Sequence, residues 1–222
     1  MDILDLGLGE RLVDYHEAWA IQRSIHADVR AGNRPDTLIL VEHPSVYTAG
    51  KRTAPRERPT DGTPVVDVDR GGRITWHGPG QLVGYPIVRL AEPIDVIAYV
   101  RALEQAFLDL CGGMGLDVTR VDGRTGVWFP STPTQRERKV CAIGVRVSYG
   151  VAMHGFALNC NPDLSEFDRI IPCGLDDADA TSLSAEMGRE VTIAEVRDDA
   201  VRCVEDALAD VRWKAPTVKE SV

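Results

Sequence analysis

The chain has 222 residues, of which 44% are hydrophobic, and its 25 Lys and Arg against 34 Asp and Glu give a formal net charge of −9 at pH 7. This length and composition predict one domain, residues 1–222, with a substantial core, and the negative charge disfavours nucleic acid and anionic membranes as partners. Because no apolar run could cross a bilayer and the first residues lack a leader pattern, we expect a soluble cytoplasmic protein.

Capping signals mark three helices along the chain. Their predicted first caps are Asp14, Asp95 and Thr192, each followed by apolar residues at helical spacing. Gly32-Asn33 ends the first helix and Gly112-Gly113 ends the second. These helices carry no evident chemistry and are interpreted as scaffold.

Strands dominate the middle of the chain. The apolar and alternating patterns predict them at residues 37–42, 65–68, 74–77, 82–88, 116–121, 127–129, 139–148 and 151–160. The polar segment 51–64, which holds three prolines, predicts a long exposed loop. Strands grouped in the middle with helices interspersed predict an α+β fold, with a mixed β-sheet core and flanking helices.

Tyr149-Gly150 is expected to form a two-residue hairpin turn between the last two of these strands. In that register, position 142 faces 157 and position 144 faces 155. The facing triplets are Ala142-Ile143-Gly144 and Gly155-Phe156-Ala157, whose small residues leave room on the sheet.

The five cysteines lie at positions 111, 141, 160, 173 and 203, with no C-x-x-C pair and no histidine at ligand spacing. We therefore expect reduced thiols, with neither a disulfide framework nor a metal site. Cys173 is the candidate nucleophile, because Pro172 and Gly174 hold it on a constrained turn. A small buried hydrophobe, the usual role of a free cysteine, also fits these residues.

Two further segments have residues that are typical of a functional site. Residues 70–81 read RGGRITWHGPGQ, and residues 139–159 read KVCAIGVRVSYGVAMHGFALN. From the residues alone, His77 fits a general base, a polar lid over a pocket or a hydrogen-bonded turn histidine. Lys139 fits either a cation that activates a thiol or a solvated side chain at a strand end.

Together with Pro172-Cys173-Gly174, these segments resemble the octanoyltransferases of lipoate biosynthesis, the lipoate-protein ligase B family. The resemblance runs from about the first strand to the last helix, and it implies the catalytic core that this family shares with biotin and lipoate protein ligases. It implies that Cys173 carries an acyl thioester and that Lys139 activates it. His154 and Asn159 are candidates for supporting roles, although His154 equally fits a core histidine. The resemblance also implies a set of substrate-binding residues, namely Arg70, Gly71, Gly72, Arg73, Ile74, Thr75, Trp76, His77, Ala142, Ile143, Gly144, Gly155, Phe156 and Ala157.

The implied reaction moves an octanoyl group from acyl carrier protein to Cys173 and then to a lysine of a lipoyl domain, without ATP or another cofactor. The implied acceptors are the lipoyl domains of 2-oxoacid dehydrogenases and the glycine cleavage H protein. Two alternatives are an ATP-dependent lipoate or biotin ligase on the same core, and a noncatalytic module that binds acyl carrier or lipoyl domains through its arginine clusters. The Pro172-Cys173-Gly174 turn and the lack of a recognisable nucleotide loop favour the transferase.

Overall fold

The computed structural model describes residues 1–170 and 178–214. Within these residues four helices pack around two sheets. The helices are α1 (Tyr15–Ala31), α2 (Val96–Gly113), α3 (Leu183–Met187) and α4 (Ile193–Leu208). The strands are β1 (Asp2–Asp5), β2 (Thr37–Val41), β3 (Val46–Ala49), β4 (Val65–Asp67), β5 (Ile74–His77), β6 (Gln81–Ile87), β7 (Thr119–Val121), β8 (Arg124–Phe129), β9 (Glu137–Ser148), β10 (Val151–Asn159) and β11 (Ala178–Ala180).

The large sheet is mixed, as the sequence predicts. Its described strands lie in the order β1-β2-β6-β10-β9-β8-β7, with β1 parallel to β2 and the other neighbours antiparallel. The short β11 pairs in parallel with the beginning of β9, where β10 has already ended. The first residues of β9 therefore lie between β8 and β11 rather than at a sheet edge.

The hairpin of β9 and β10 has the predicted register. Ala142 pairs with Ala157 and Gly144 with Gly155. Tyr149 and Gly150 make the turn with φ angles of 52° and 75°, which matches the twist of the flanking strands in a tight two-residue turn. The two small-residue triplets consequently face each other across one strand pair.

Helices cover both faces of the large sheet. α2 and α4 pack together on one face, over a core that includes Leu103, Phe107 and Val204. α1 covers part of the other face with Ala18, Ile25 and Val29. Asp14 caps α1 by accepting the backbone N–H groups of its first turn, as its sequence position predicts.

The small sheet, in the order β4-β3-β5, lines a cavity through its strand β5, together with β9 and β10 of the large sheet. Its own core joins Tyr47, Ile74 and Trp76 to Phe167 and Ile170. Segment 51–64 is not uniformly exposed, because a 3-10 turn at Pro55–Glu57 buries the Glu57 side chain, which pairs with Arg73. No helix in the described part of the chain is both long and apolar enough to cross a membrane.

Candidate active site

A cavity of about 230 Å³ lies between the two sheets. The strands β5, β9 and β10 supply most of its wall, together with the turn that precedes β5 and the first residue of α1. Its lining residues are Tyr15, Arg52, Arg70, Gly72, Arg73, Ile74, Thr75, His77, Tyr85, Gly123, Arg124, Thr125, Lys139, Ala142, Ile143, Gly144, His154, Gly155, Phe156 and Ala157.

The glycines of the two triplets permit close approach of protein groups. A Cβ on Gly144 would lie 3.0 Å from Arg70 Cδ, and a Cβ on Gly155 would lie 2.2 Å from the carbonyl oxygen of Gly84. The space that these glycines leave is thus partly filled by Arg70 and by backbone, and it is not all open to a ligand. Ile74, Ile143 and Phe156 also border the cavity, and Ile143 and Phe156 belong at the same time to the core beneath α2 and α4.

Arg70 is almost completely buried and ties the turn before β5 to the small sheet. Its Nη2 donates to the backbone oxygen and the Oγ1 of Thr48, both at 2.9 Å. Its Nη1 donates to the backbone oxygens of Gly71 and Arg73. These four hydrogen bonds fix a positive charge at the cavity wall. Because the local dielectric constant is low there, its electrostatic interactions are stronger than they would be in water.

His77 is held in a single neutral form. Its Nδ1 lies 3.1 Å from Gln81 Oε1, which can only accept, so Nδ1 carries the proton. Its Nε2 lies 3.3 Å from Thr48 Oγ1, whose lone pair already accepts from Arg70 and whose proton is therefore available to His77. Burial and the nearby His43 and Arg70 charges lower the pKa of His77 well below its usual value.

A path of hydrogen bonds leads from His77, through Gln81, towards Lys139. Gln81 Nε2 donates to Asn159 Oδ1 at 2.9 Å, and Asn159 Nδ2 donates to the Thr181 backbone oxygen at 2.8 Å. The Thr181 backbone N–H then donates to the Lys139 backbone oxygen at 2.9 Å. This path runs along a second, smaller cavity, which shares Thr75, Lys139 and Ala142 with the first.

His154 lies at the opposite end of the cavity from Lys139 on the hairpin, with a backbone φ of 58° that is unusual for a residue other than glycine. Its Nε2 donates to Asp69 Oδ1 at 2.7 Å, and Asp69 also pairs with Arg146. The hydrogen bond from His154 is the main reason that the pKa of Asp69 is lowered. Burial outweighs the Asp69 charge and lowers the pKa of His154, so the imidazole is neutral at pH 7.

Lys139 lies where three strands meet. It is the register partner of Trp128 on β8 and of Ala180 on β11. Its Nζ lies 4.4 Å from the centre of the Trp128 ring, and its side chain lines both cavities. A cation is therefore presented inside the concave site and not on the outer surface.

Cys173 lies outside the described residues. On the described side of the gap, Ala178 resumes the chain as the partner of Glu137, two residues before Lys139. The other four cysteines, Cys111, Cys141, Cys160 and Cys203, are buried free thiols. Burial raises the pKa of Cys141 well above its usual value and that of Cys160 to about 12, which disfavours either as the reactive thiolate.

Residues 14–205 match the family model described as the lipoyl protein ligase A/B catalytic domain. The chain belongs to this family. Among its curated relatives, the octanoyltransferase of Acidothermus cellulolyticus is 61% identical over 201 residues, which cover 90% of each chain. The octanoyltransferase of Nocardia farcinica is 58% identical over 92% of this chain and 80% of its own, and that of Mycobacterium leprae is 56% identical over 94% and 88%.

Solved structures of the wider family share the fold. A bipartite lipoate protein ligase from Thermoplasma acidophilum superimposes with a TM-score of 0.65 at 16% identity, covering 98% of this chain and 86% of that one. Biotin protein ligase from Aquifex aeolicus, in complex with biotin and ATP, superimposes with a TM-score of 0.57 at 17% identity, covering 94% and 70%. At such identities the likeness extends to the fold, which confirms the predicted core of biotin and lipoate ligases.

The structure brings most of the sequence-predicted site residues to one cavity. Among those that the structure describes, three do not line it: Gly71, Trp76 and Asn159. Gly71 donates its backbone N–H to Val145, and Trp76 packs against Phe167 with its Nε1 donating to Ser45. Asn159 instead lines the smaller cavity.

Sequence reasoning missed several lining residues, among them Tyr15, Tyr85 and Thr125. Tyr15 and Tyr85 belong to a buried ring cluster with His43 and His77, in which His43 Nε2 lies 2.8 Å from Tyr85 Oη. Burial raises the pKa of Tyr15 to about 12. No local pattern identifies these residues, because they come from three separate elements, α1, β6 and β8.

Proposed function

We propose that the chain is an octanoyltransferase, which moves an octanoyl group from acyl carrier protein to a lysine of a lipoyl domain through a thioester on Cys173. The observation that carries this proposal is the match to curated octanoyltransferases at 56–61% identity over about nine-tenths of the chain. The geometry supports it, since the two motif segments within the described residues, 70–81 and 139–159, supply much of the wall of one cavity with a cation at one end.

The first step exchanges one thioester for another. The Cys173 thiolate attacks the carbonyl carbon of the octanoyl thioester, and the carrier thiolate leaves and takes up a proton. A free thiol is only a few per cent thiolate at neutral pH. The Lys139 ammonium would favour the thiolate, because opposite charges about 4 Å apart gain on the order of 4 kcal/mol at an effective dielectric constant of 20, before desolvation.

The second step forms an amide. A lysine amine of the lipoyl domain attacks the Cys173 thioester, loses a proton and releases the enzyme thiol. Because an amide is more stable than a thioester, this step runs downhill and needs no ATP. Ile74, Ile143 and Phe156 would hold the octanoyl tail, with each buried methylene contributing about 0.8 kcal/mol.

The neutral His77 has both ring nitrogens engaged, by Gln81 and by Thr48. We assign it a structural part in this proposal, as a fixed polar wall of the cavity and not as a general base. His154 likewise holds Asp69 and Arg146 at the cavity end.

The specific partners are also proposals. We assign the donor as octanoyl-acyl carrier protein, and the acceptors as the lipoyl domains of 2-oxoacid dehydrogenases and the glycine cleavage H protein. The ATP-dependent ligase is the competing function, because the fold is shared with enzymes of that kind. It predicts that the chain alone forms no acyl-enzyme and that transfer requires ATP.

Intact-mass spectrometry after mixing with octanoyl-acyl carrier protein, without ATP, tests the proposal. We expect the wild-type mass to rise by one octanoyl group and to return after a lipoyl domain is added. Cys173→Ala should show neither change and should keep the wild-type unfolding temperature, with Cys203→Ala as the control that still becomes acylated. Retention of octanoyl transfer by Cys173→Ala would refute the covalent mechanism, and a strict need for ATP would favour the ligase.

A further inference from the structure

We propose that Trp128 is a positioning residue for Lys139. A bulge in β8 keeps the Trp128 ring against the Lys139 ammonium, and the buried carboxylate of Glu104 on α2 holds this bulge in place. This inference rests on the proposed function, in which Lys139 acts on the Cys173 thiol.

The contact is close, and its aromatic partner is buried. Trp128 is 1% exposed, and Lys139 Nζ lies 4.4 Å from its ring centre. The two residues are register partners on adjacent strands, so their side chains lie on one face of the sheet. An ammonium over an indole face is attracted by the ring quadrupole, and the attraction grows when water is excluded. The indole Nε1 donates to the Arg124 backbone oxygen at 3.2 Å, which fixes the plane of the ring.

The strand that carries Trp128 is irregular at this point. The pairing of β8 with β9 shifts between Val127 and Trp128, and the preceding Gly126 has a φ of 122°. A Cβ on Gly126 would lie 2.5 Å from the Cys141 backbone oxygen and 3.3 Å from Lys139 Cε. The glycine therefore lets the bulge lie directly on the aliphatic stem of Lys139.

A buried acid on α2 anchors the bulge. Glu104 Oε1 accepts the Gly126 backbone N–H at 3.0 Å, and its Oε2 accepts from Arg101 at 2.7 Å and from Arg120 at 3.2 Å. Glu104 is 1% exposed. A carboxylate is retained in an apolar core only where its charge is compensated, and here two arginines compensate it while one oxygen holds the bulge. A chain of direct contacts thus runs from α2 through Gly126 to the stem of Lys139.

The neighbouring Phe129 provides a matched control. It is also a buried aromatic on β8, and it packs in the core between the large sheet and α2 and α4. The cation near its ring is a different one, since Arg138 Cζ lies 5.5 Å from the centre of the Phe129 ring. Phe129→Leu should therefore disturb packing to a similar degree without changing the surroundings of the Lys139 ammonium.

The test compares Trp128→Leu, Trp128→Phe and Phe129→Leu in the full-length enzyme. We expect Trp128→Leu to lower kcat between about 2-fold and 30-fold, the range that a cation–π contact provides, while KM for the octanoyl donor changes less than 2-fold. The pH of half-maximal Cys173 alkylation, followed by peptide mapping, should rise in Trp128→Leu. Trp128→Phe should recover part of both effects, and Phe129→Leu should show neither.

A second measurement is independent of the cysteine. At fixed pH, acylation of Lys139 by an amine-selective reagent, also read by peptide mapping, should be 2-fold to 30-fold faster in Trp128→Leu than in wild type. It should be unchanged in Phe129→Leu. If wild type transfers no octanoyl group but this difference is present, the proposed function fails and the positioning of Lys139 by Trp128 stands.

Two results would overturn the inference. One is a folded Trp128→Leu enzyme whose kcat, alkylation profile and Lys139 acylation rate all equal those of wild type. The other is a Phe129→Leu enzyme with the same changes as Trp128→Leu. If Trp128→Leu does not fold, Trp128→Phe and Gly126→Ala decide the question by the same readouts, since Gly126→Ala displaces the bulge from Lys139 while retaining the ring.

Discussion

Lys139 can assist a thiol through its charge or through its proton, and substitution separates the two. Lys139→Ala should raise the pH of half-maximal Cys173 alkylation, because it removes the favourable charge. Lys139→Arg should keep that pH low but lose turnover, since a guanidinium retains its proton.

Peptide mapping must accompany the alkylation, although the burial of Cys141 and Cys160 makes both poor competitors. An unchanged alkylation profile in Lys139→Ala would mean that the two side chains do not interact, and the Lys139 assignment would be withdrawn.

At the scale of elements, the facing strands β5, β9 and β10 set the space for an acyl tail. Removing two methylenes from the substrate should cost about 1.6 kcal/mol, so kcat/KM for octanoyl donors should exceed that for hexanoyl donors roughly 15-fold. Ile143→Ala should reduce this ratio, because Ile143 lines the cavity, whereas Val83→Ala, in the core under α1, should not. Equal kcat/KM for acetyl and octanoyl donors would contradict an acyl pocket here.

The pairing of β6 with β10 depends on one glycine. Phe156 lies directly across from Gly84, and a Cβ on Gly84 would lie 2.0 Å from the Phe156 ring. The ring centres of Phe156 and Phe107 are 4.5 Å apart, so the Phe156 ring is also packed against α2. Gly84→Ala should therefore lower the free energy of unfolding by about 1–3 kcal/mol and raise KM for the octanoyl donor.

Gly112→Ala, in the last turn of α2 where an added Cβ meets no atom within 4 Å, is the matched control. It should be neutral or stabilising by up to about 1 kcal/mol in denaturant unfolding. Equal stability of the two variants would show that Phe156 adjusts without cost.

For the whole molecule, three buried histidines should make the free energy of unfolding depend on pH. Burial lowers the pKa of His43, His77 and His154 in the folded state. The unfolded chain therefore binds protons first as the pH falls, so stability is fully present above about pH 6.5 and is lost progressively below it.

We expect the unfolding temperature to fall between pH 7 and pH 5, and to fall less steeply in His43→Asn than in wild type. His16→Asn changes an exposed histidine and should keep the wild-type slope. Parallel pH profiles for His43→Asn and wild type would contradict the assignment of this loss to the buried histidine.

Much of the fold follows from local signals. The helix starts at Asp14, Asp95 and Thr192 were predicted and are confirmed, because a side chain that accepts backbone N–H groups acts within one turn of its own position. The hairpin register at Tyr149-Gly150 is confirmed for the same reason, since turn length sets pairing. By contrast, β11 is too short for a pattern, and only its pairing with β9 defines it.

The family and its octanoyl transfer were predicted from three sequence motifs and are confirmed by the relatives. The roles of Cys173, Lys139 and the substrate-binding residues remain predictions. The motifs supply the residue types for the chemistry, since a thiol, a cation and small residues are readable as such in a sequence.

Tertiary structure alone decided which of these residues share a cavity. Trp76 belongs to the same motif as Ile74 and Thr75 but packs away from the cavity, whereas Tyr15 enters it from a distant helix. The contact of Trp128 with Lys139 depends on a bulge that a buried carboxylate holds from another element. Such contacts join residues far apart in the chain and depend on the packing of whole elements, which a local pattern does not encode.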